Sequence, residues 1–170
     1  TTGDENTLVG GLAGDAMTIG NQNVAIGTHS LGANVAADRN VAVGHSALSN
    51  MTRATTADTY NTAVGFFAGQ AITSGSDNTM LGALAGDALT TGNQNVAVGR
   101  SALSEEVEGS RNIAIGHQAL KDLNTDSTAY NIAIGYNAGV DMTTATSNII
   151  IGGLSGDALT TGSENVALGH

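Results

Sequence analysis

Glu105, Asp122 and Asp141 are the residues whose type and spacing come nearest to chemistry: three carboxylates, 17 and 19 residues apart. In a chain laid down in coils of that length they stand in one column on consecutive coils, about 5 Å apart at parallel-strand spacing. Like charges that close repel unless something neutralises them. Calcium, a hard cation that gathers several oxygens, is the ion such a column would take, and a glycan-cleaving carboxylate pair is the enzymatic alternative. The plain reading is three solvated carboxylates splayed on a turn. Asp15, Asp87 and Asp157 share another column but lie four coils apart, about 19 Å, which exceeds the roughly 5 to 9.5 Å of a glycosidase pair. They are expected to cap a corner. The four His residues, His29, His45, His117 and His170, show no metal-ligand spacing, and the last three share one column that reads as exposed surface. With no Cys, no G-x-S-x-G and no phosphate loop, the chain is expected not to be an enzyme and to need no cofactor unless calcium binds.

The five aromatic residues fall into two groups, Tyr60, Phe66 and Phe67, then Tyr130 and Tyr136 at corresponding places. Beside each lies a polar stretch, Thr55–Thr59 and Asn124–Thr128. An exposed ring next to hydroxyl and amide groups suits a sugar, so Tyr60, Phe66, Phe67, Tyr130, Tyr136, Thr59 and Asp126 are the candidate receptor or glycan contacts. Filling of a gap in the fold, or contact between chains, is the alternative use of the rings.

These columns exist because one frame, N-x-x-aliphatic-G, recurs ten times, at Asn6, Asn23, Asn40, Asn61, Asn78, Asn95, Asn112, Asn131, Asn148 and Asn165. A period this short and strict predicts an all-β parallel β-solenoid, a β-roll of about ten 17-residue coils. Gly in every coil, T-T-G corners and β-branched residues argue against helix. The third residue after each Asn, from Val9 to Leu168, is always a branched aliphatic and is expected to be the core column. The seventh, Ala or Ser from Ala13 to Ser155, marks crowded backbones and the start of a second strand, and either forms a contact face between rods or packs inside its own coil. The Asn residues themselves are expected to turn the corner in a left-handed or bridge conformation while their amides stack in a structural ladder.

A longer period groups the coils in fours, over residues 6–77, 78–147 and an incomplete 148–170, within one segment spanning 1–170. In the first two units the third coil is long, by four residues in Asn40–Tyr60 and by two in Asn112–Tyr130. The extra residues should bulge from one edge. Because the chain opens at Thr1 inside a T-T-G corner and stops at His170 just after a frame, it is expected to be a piece of a longer protein. A net charge of −10 with five Lys and Arg offers no basic surface for nucleic acid, and no apolar run is long enough to insert in a membrane as a helix.

Asn23-Val24-Ala25-Ile26-Gly27 and Asn112-Ile113-Ala114-Ile115-Gly116 resemble the YadA-like head repeats of trimeric autotransporter adhesins. Asn61-Thr62-Ala63-Val64-Gly65 and the T-T-G corners are similar to the N-x-A-V-G arrays of bacteriophage tail fibres. The resemblance implies a left-handed β-roll assembled as a homotrimer, extracellular, on a bacterial surface or a virion, attaching to a cell-surface glycan or protein. The coils here are longer than the adhesin repeat. A single thin layer of Ala, Val and Ile offsets little of the entropy of ordering the chain, which argues separately for rods packing together. From other classes stand a polysaccharide-degrading tailspike and an ice-binding solenoid, the latter on a Thr18, Thr73, Thr90, Thr143, Thr160 column that Val35 and Val107 interrupt.

Overall fold

The computed structural model describes residues 3–170; Thr1 and Thr2, which open the first T-T-G corner, lie outside them. It is an all-β parallel solenoid of twelve strands: β1 (Thr7–Val9), β2 (Val24–Ile26), β3 (Ala37–Asp38), β4 (Val41–Val43), β5 (Ala57–Asp58), β6 (Thr62–Val64), β7 (Thr79–Leu81), β8 (Val96–Val98), β9 (Ile113–Ile115), β10 (Ile132–Ile134), β11 (Ile149–Ile151) and β12 (Val166–Leu168). Ten of them, one per Asn frame, form a single parallel sheet in the order β1-β2-β4-β6-β7-β8-β9-β10-β11-β12. Register follows the repeat, Val96 opposite Ile113 and Val98 opposite Ile115, so every frame position becomes a straight column.

The expected second strand does not form as a regular element. Beyond each three-residue strand the coil consists of turns, because three positions per coil besides the frame Gly have positive φ: the residue before each Asn, the second after each frame Gly, and the fourth after it. Gln94 (φ 59°), Ser101 (φ 54°) and Leu103 (φ 55°) show the set in one coil. The corner expected at Asn therefore falls one residue earlier. Asn is left free to aim its side chain inward.

That inward aim reverses the expected faces of the strand. Side chains alternate along a strand, and with Asn inside, the second residue after it is inside too: Ala25, Ala42, Ala63, Met80, Ala97, Ala114, Ala133 and Ile150 are buried. The branched aliphatics of the third position point out, with Val9, Ile26, Leu81, Ile151 and Leu168 exposed and the rest half-buried. The Ala and Ser column starting at Ala13 packs inside its own coil, Ala47 to Ala138 being fully buried, so it is not a face between rods. Larger core residues come from elsewhere in the coil: Leu31, Leu48, Leu103 and Leu120 in one column, Met51, Ile72, Leu89, Leu123 and Met142 in another.

The four-coil period is a packing rule. The left-handed core position is Gly in the opening coil of each unit (Gly14, Gly86, Gly156), where the inward strand residue is large (Leu8, Met80, Ile150), and again in the closing coil (Gly69, Gly139), where it is Ala. A Cβ on Gly86 would come within 2.4 Å of Met80 Sδ. In the long coils the surplus residues extrude, with Thr52, Ala54, Thr55 and Thr56 exposed in one and Asn124, Asp126 and Ser127 in the other. Both bulges are tied at their return, by pairing of β3 with β5 in the first unit and by a bridge between Ser110 and Thr128 in the second.

Candidate functional site

The Asn ladder is structural throughout. Asn95 is typical: its Nδ2 donates to Asn78 Oδ1 at 3.2 Å and to the Gly109 carbonyl at 2.9 Å, while its Oδ1 accepts from Asn112 N–H at 2.9 Å. Asn23 to Asn148 are buried, and the ladder leaves their amides no bond to offer a ligand. At the first long coil Asn61 Nδ2 keeps its bond to the Gly75 carbonyl, but the side-chain donor to Asn40 Oδ1 is Thr59 Oγ1, at 2.7 Å. Thr59 is therefore a fully buried rung of the ladder and not a sugar contact.

On the outward face, the residues one and three after each Asn form a continuous aliphatic stripe, from Thr7 and Val9 through Val96, Val98, Ile113 and Ile115 to Val166 and Leu168. Corners border it on both sides. The corner before Asn carries Tyr60 and Tyr130, and the corner after Gly carries Phe66 and Tyr136, so each aromatic group of the sequence is split between two edges of the sheet. These four rings are 50%, 55%, 51% and 58% exposed, which removes the gap-filling alternative for them. Phe67 is half-buried against Phe66, centroids 4.0 Å apart.

The His column has neighbours the sequence reading did not use. His45 stacks on Phe66 at 5.4 Å and His117 on Tyr136 at 5.3 Å, the same frame position on adjacent coils of both units. Counting positions after Gly would have found both pairs. Asp126 is exposed on its bulge, as expected.

The acidic column behaves differently from a metal cage. Among the described residues no three acidic, His or Cys side chains converge on a common point. Lys121 supplies the neutralising charge: it ion-pairs with Asp122, and that hydrogen bond, against the pull of partial burial and with the fields of Asp122, Glu105 and Asp141, raises its pKa. Asp87 has its carboxyl raised, by burial first and by the charge of Glu105, with a bond to its own backbone N–H opposing. Asp15 and Asp157 make no side-chain hydrogen bond among the described residues, so the expected corner caps are not formed there. In the Thr column, Thr73 and Thr90 hydroxyls donate to carbonyls one coil on, at 3.3 and 2.9 Å, instead of pointing freely to solvent.

One buried acid escaped the sequence reading. Glu106 sits in the apolar column of Leu89 and Leu123, fully buried, with Oε1 accepting N–H from Gly109 (2.8 Å), Thr125 (3.0 Å) and Val107 (3.1 Å). The corresponding place in the first unit is Asn34, also buried and bonded to the Ala37 backbone. The signal was the polar interruption of an otherwise Met, Ile and Leu column at the same point of both units. Burial raises the Glu106 carboxyl above its ordinary 4.5, with the bonds from Gly109, Thr125 and Val107 opposing. A raised folded pKa means the folded chain holds the proton more tightly than the unfolded one, so this contribution to stability is full below 4.5 and is lost as pH rises through the folded value. Glu106→Gln keeps the shape without the charge and is expected to flatten the decline of the thermal midpoint between mildly acidic and neutral pH. Identical slopes for the two proteins would contradict this.

Open surface depressions lie at the two ends of the solenoid, and another is lined by Asp15, His29, Ser46 and Asn50. Fold and surface together define the class: a parallel β-solenoid repeat protein with an outward aliphatic stripe edged by aromatic and charged corners. Comparison with known protein families, curated proteins and solved structures returned no match.

Proposed function

We propose that the chain is a shaft or head segment of an extracellular homotrimeric fibre, of the bacteriophage tail-fibre or bacterial surface-adhesin kind, that serves in attachment to a host or surface. The observation that carries this reading is the aliphatic stripe. Ten coils set Val, Ile, Leu and Thr side by side on the outer face of the sheet, while the interior of the coils is filled by Ala, Leu, Met and Ile columns and the Asn ladder. A contiguous apolar face of that extent on a soluble chain marks a surface that a partner covers. A second and third copy fit it best, because the stripe repeats at the strand spacing along its whole length and every copy carries the same one. Obligate interfaces between copies are apolar in this way.

The chain contains no Cys, so a single introduced thiol reports contacts between copies without background. Val98→Cys, in the middle of the stripe, is expected to give disulfide-linked pairs of chains under mild oxidation. Thr91→Cys, on an exposed T-T-G corner, is the control and is expected to stay unlinked. Equal behaviour of the two would overturn the reading.

A further inference from the structure

The column just before Asn carries the same three residues in both complete units: Gln22, Arg39, Tyr60, and Gln94, Arg111, Tyr130. Their geometry repeats as well. Arg39 Nε donates to Gln22 Oε1 and Arg111 Nε to Gln94 Oε1, both at 2.8 Å. Arg39 Nη1 donates to the Tyr60 hydroxyl at 3.2 Å and Arg111 Nη1 to that of Tyr130 at 2.9 Å, with the guanidinium carbons 5.7 and 5.5 Å from the ring centroids. Each guanidinium is thus held in place before any anion meets it, which lowers the ordering cost of binding one.

The units differ in what completes the arrangement. In the first, Asp58 ion-pairs with Arg39, and its Oδ2 accepts the Tyr60 hydroxyl at 2.8 Å. Asp58 reaches that place from β5, paired with Asp38 of β3. The same register place in the second unit, opposite Ser110, is held by Thr128, which carries no charge. Arg111 has no ion-pair partner among the described residues. The first unit therefore displays the group that the Arg–Tyr pair binds, and the second leaves the pair open.

We infer that the Gln94, Arg111, Tyr130 corner is a binding site for a carboxylated sugar, whose carboxylate takes the place that Asp58 fills in the first unit. The guanidinium and the Tyr130 hydroxyl grip the carboxylate. The ring of Tyr130, more than half exposed, offers its face to the apolar side of the pyranose, and Asn124, Asp126 and Ser127 on the exposed bulge leading to it offer partners for hydroxyls. Along the column the neighbour beyond Tyr130 is Ser147, whereas Asp77 holds that position next to Tyr60. On a chain of net charge −10, an open cationic corner is a selective feature and not a general anion attractor. The assignment rests on reading the solenoid as an attachment segment, and supplies the ligand class for it.

The test is calorimetric titration of the chain with an oligogalacturonate, and with the uncharged galactose oligomer as comparison. Saturable binding of the uronate alone is expected, weakened at least about tenfold by Arg111→Gln, as loss of a charged hydrogen-bond pair requires. Thr128→Asp is expected to fill the site from within and abolish binding; the equivalent place in the first unit already holds Asp, so the fold accepts it. Absence of uronate binding, equal binding of the neutral sugar, or full binding by Thr128→Asp would each overturn the site. Sedimentation of the same proteins separates the two proposals: assembled chains that bind no uronate remove this inference alone, and single chains that bind it remove the fibre reading alone.

Discussion

Asn95→Ala is expected to destabilise the solenoid by on the order of 3 kcal/mol or more, with the damage centred on the coils either side of β8. The amide of Asn95 is fully buried and serves three coils: it donates to Asn78 Oδ1 and the Gly109 carbonyl, and accepts from Asn112 N–H and Nδ2. Removing it strands partners on both sides, and a buried polar group left without a bond costs about 1–3 kcal/mol. Asn95→Asp tests the same point with almost no change of shape. Replacing the amide nitrogen by a carboxylate oxygen turns both donated bonds into contacts between acceptors, so Asn95→Asp is expected to be at least as damaging at neutral pH and to recover partly in acid, when one oxygen regains a hydrogen. Denaturant titration gives the size of the effect, and hydrogen exchange gives its place. Each coil of a solenoid leans on its two neighbours, so the loss of protection should spread outward from the Asn78–Asn112 stretch. Unchanged protection there would show that the ladder is incidental.

Gly99→Ala should be nearly as costly, for a different reason. Gly99 has φ +128°, a region L side chains rarely adopt, and a Cβ there would lie 2.4 Å from the Gly116 carbonyl oxygen and 2.6 Å from its carbon. Both atoms are backbone of the next coil and cannot swing aside. Backbone strain alone amounts to about 1–3 kcal/mol, and the clash adds a local widening of the sheet. Gly153→Ala is the matched control, since nothing lies within 4 Å of its Cβ direction. That variant should change the thermal midpoint little. Equal loss from the two substitutions would mean that glycine content, and not the close approach of coils, sets stability.

The solenoid was legible in the sequence because one spacing decides it. Ten Asn at a nearly constant interval fix coil length, coil number and register, and the sheet follows that register from Thr7 to Leu168. Which side of the strand faces inward was not legible from hydrophobicity. The alternation of Val96, Ala97 and Val98 fits either phase, and the rule that larger apolar residues lie inside chose the wrong one. What decides it is the narrowness of the coil. With the Asn95 amide, Leu103 and Leu89 already inside, the strand has room only for Ala97. The left-handed corners were hidden for a related reason: Gln94, Arg111 and Tyr130 are not residues that favour φ > 0, and the stacked coils impose it on them.

The candidate site was read in part. Exposed aromatic rings beside polar bulges could be seen from composition and position, and Tyr60, Phe66, Tyr130 and Tyr136 are indeed exposed. Their division between two edges of the sheet follows from strand direction, since Tyr130 precedes β10 and Tyr136 follows it. Thr59 misled because hydroxyls suit either solvent or a ladder, and only the missing bond between the Asn61 and Asn40 amides shows why it is inside. The Glu105, Asp122, Asp141 column has a counter-charge within the chain, at Lys121 one residue before Asp122.

The most direct measurement is the mass of the chain in solution by sedimentation equilibrium, across a range of protein and salt concentrations. Self-association through the aliphatic stripe predicts a species three times the 16.8 kDa of one chain, held as salt rises, since the contact is apolar and not ionic. A single 16.8 kDa species at every concentration would contradict it, and would leave the stripe of Val98 and Ile115 in need of another partner.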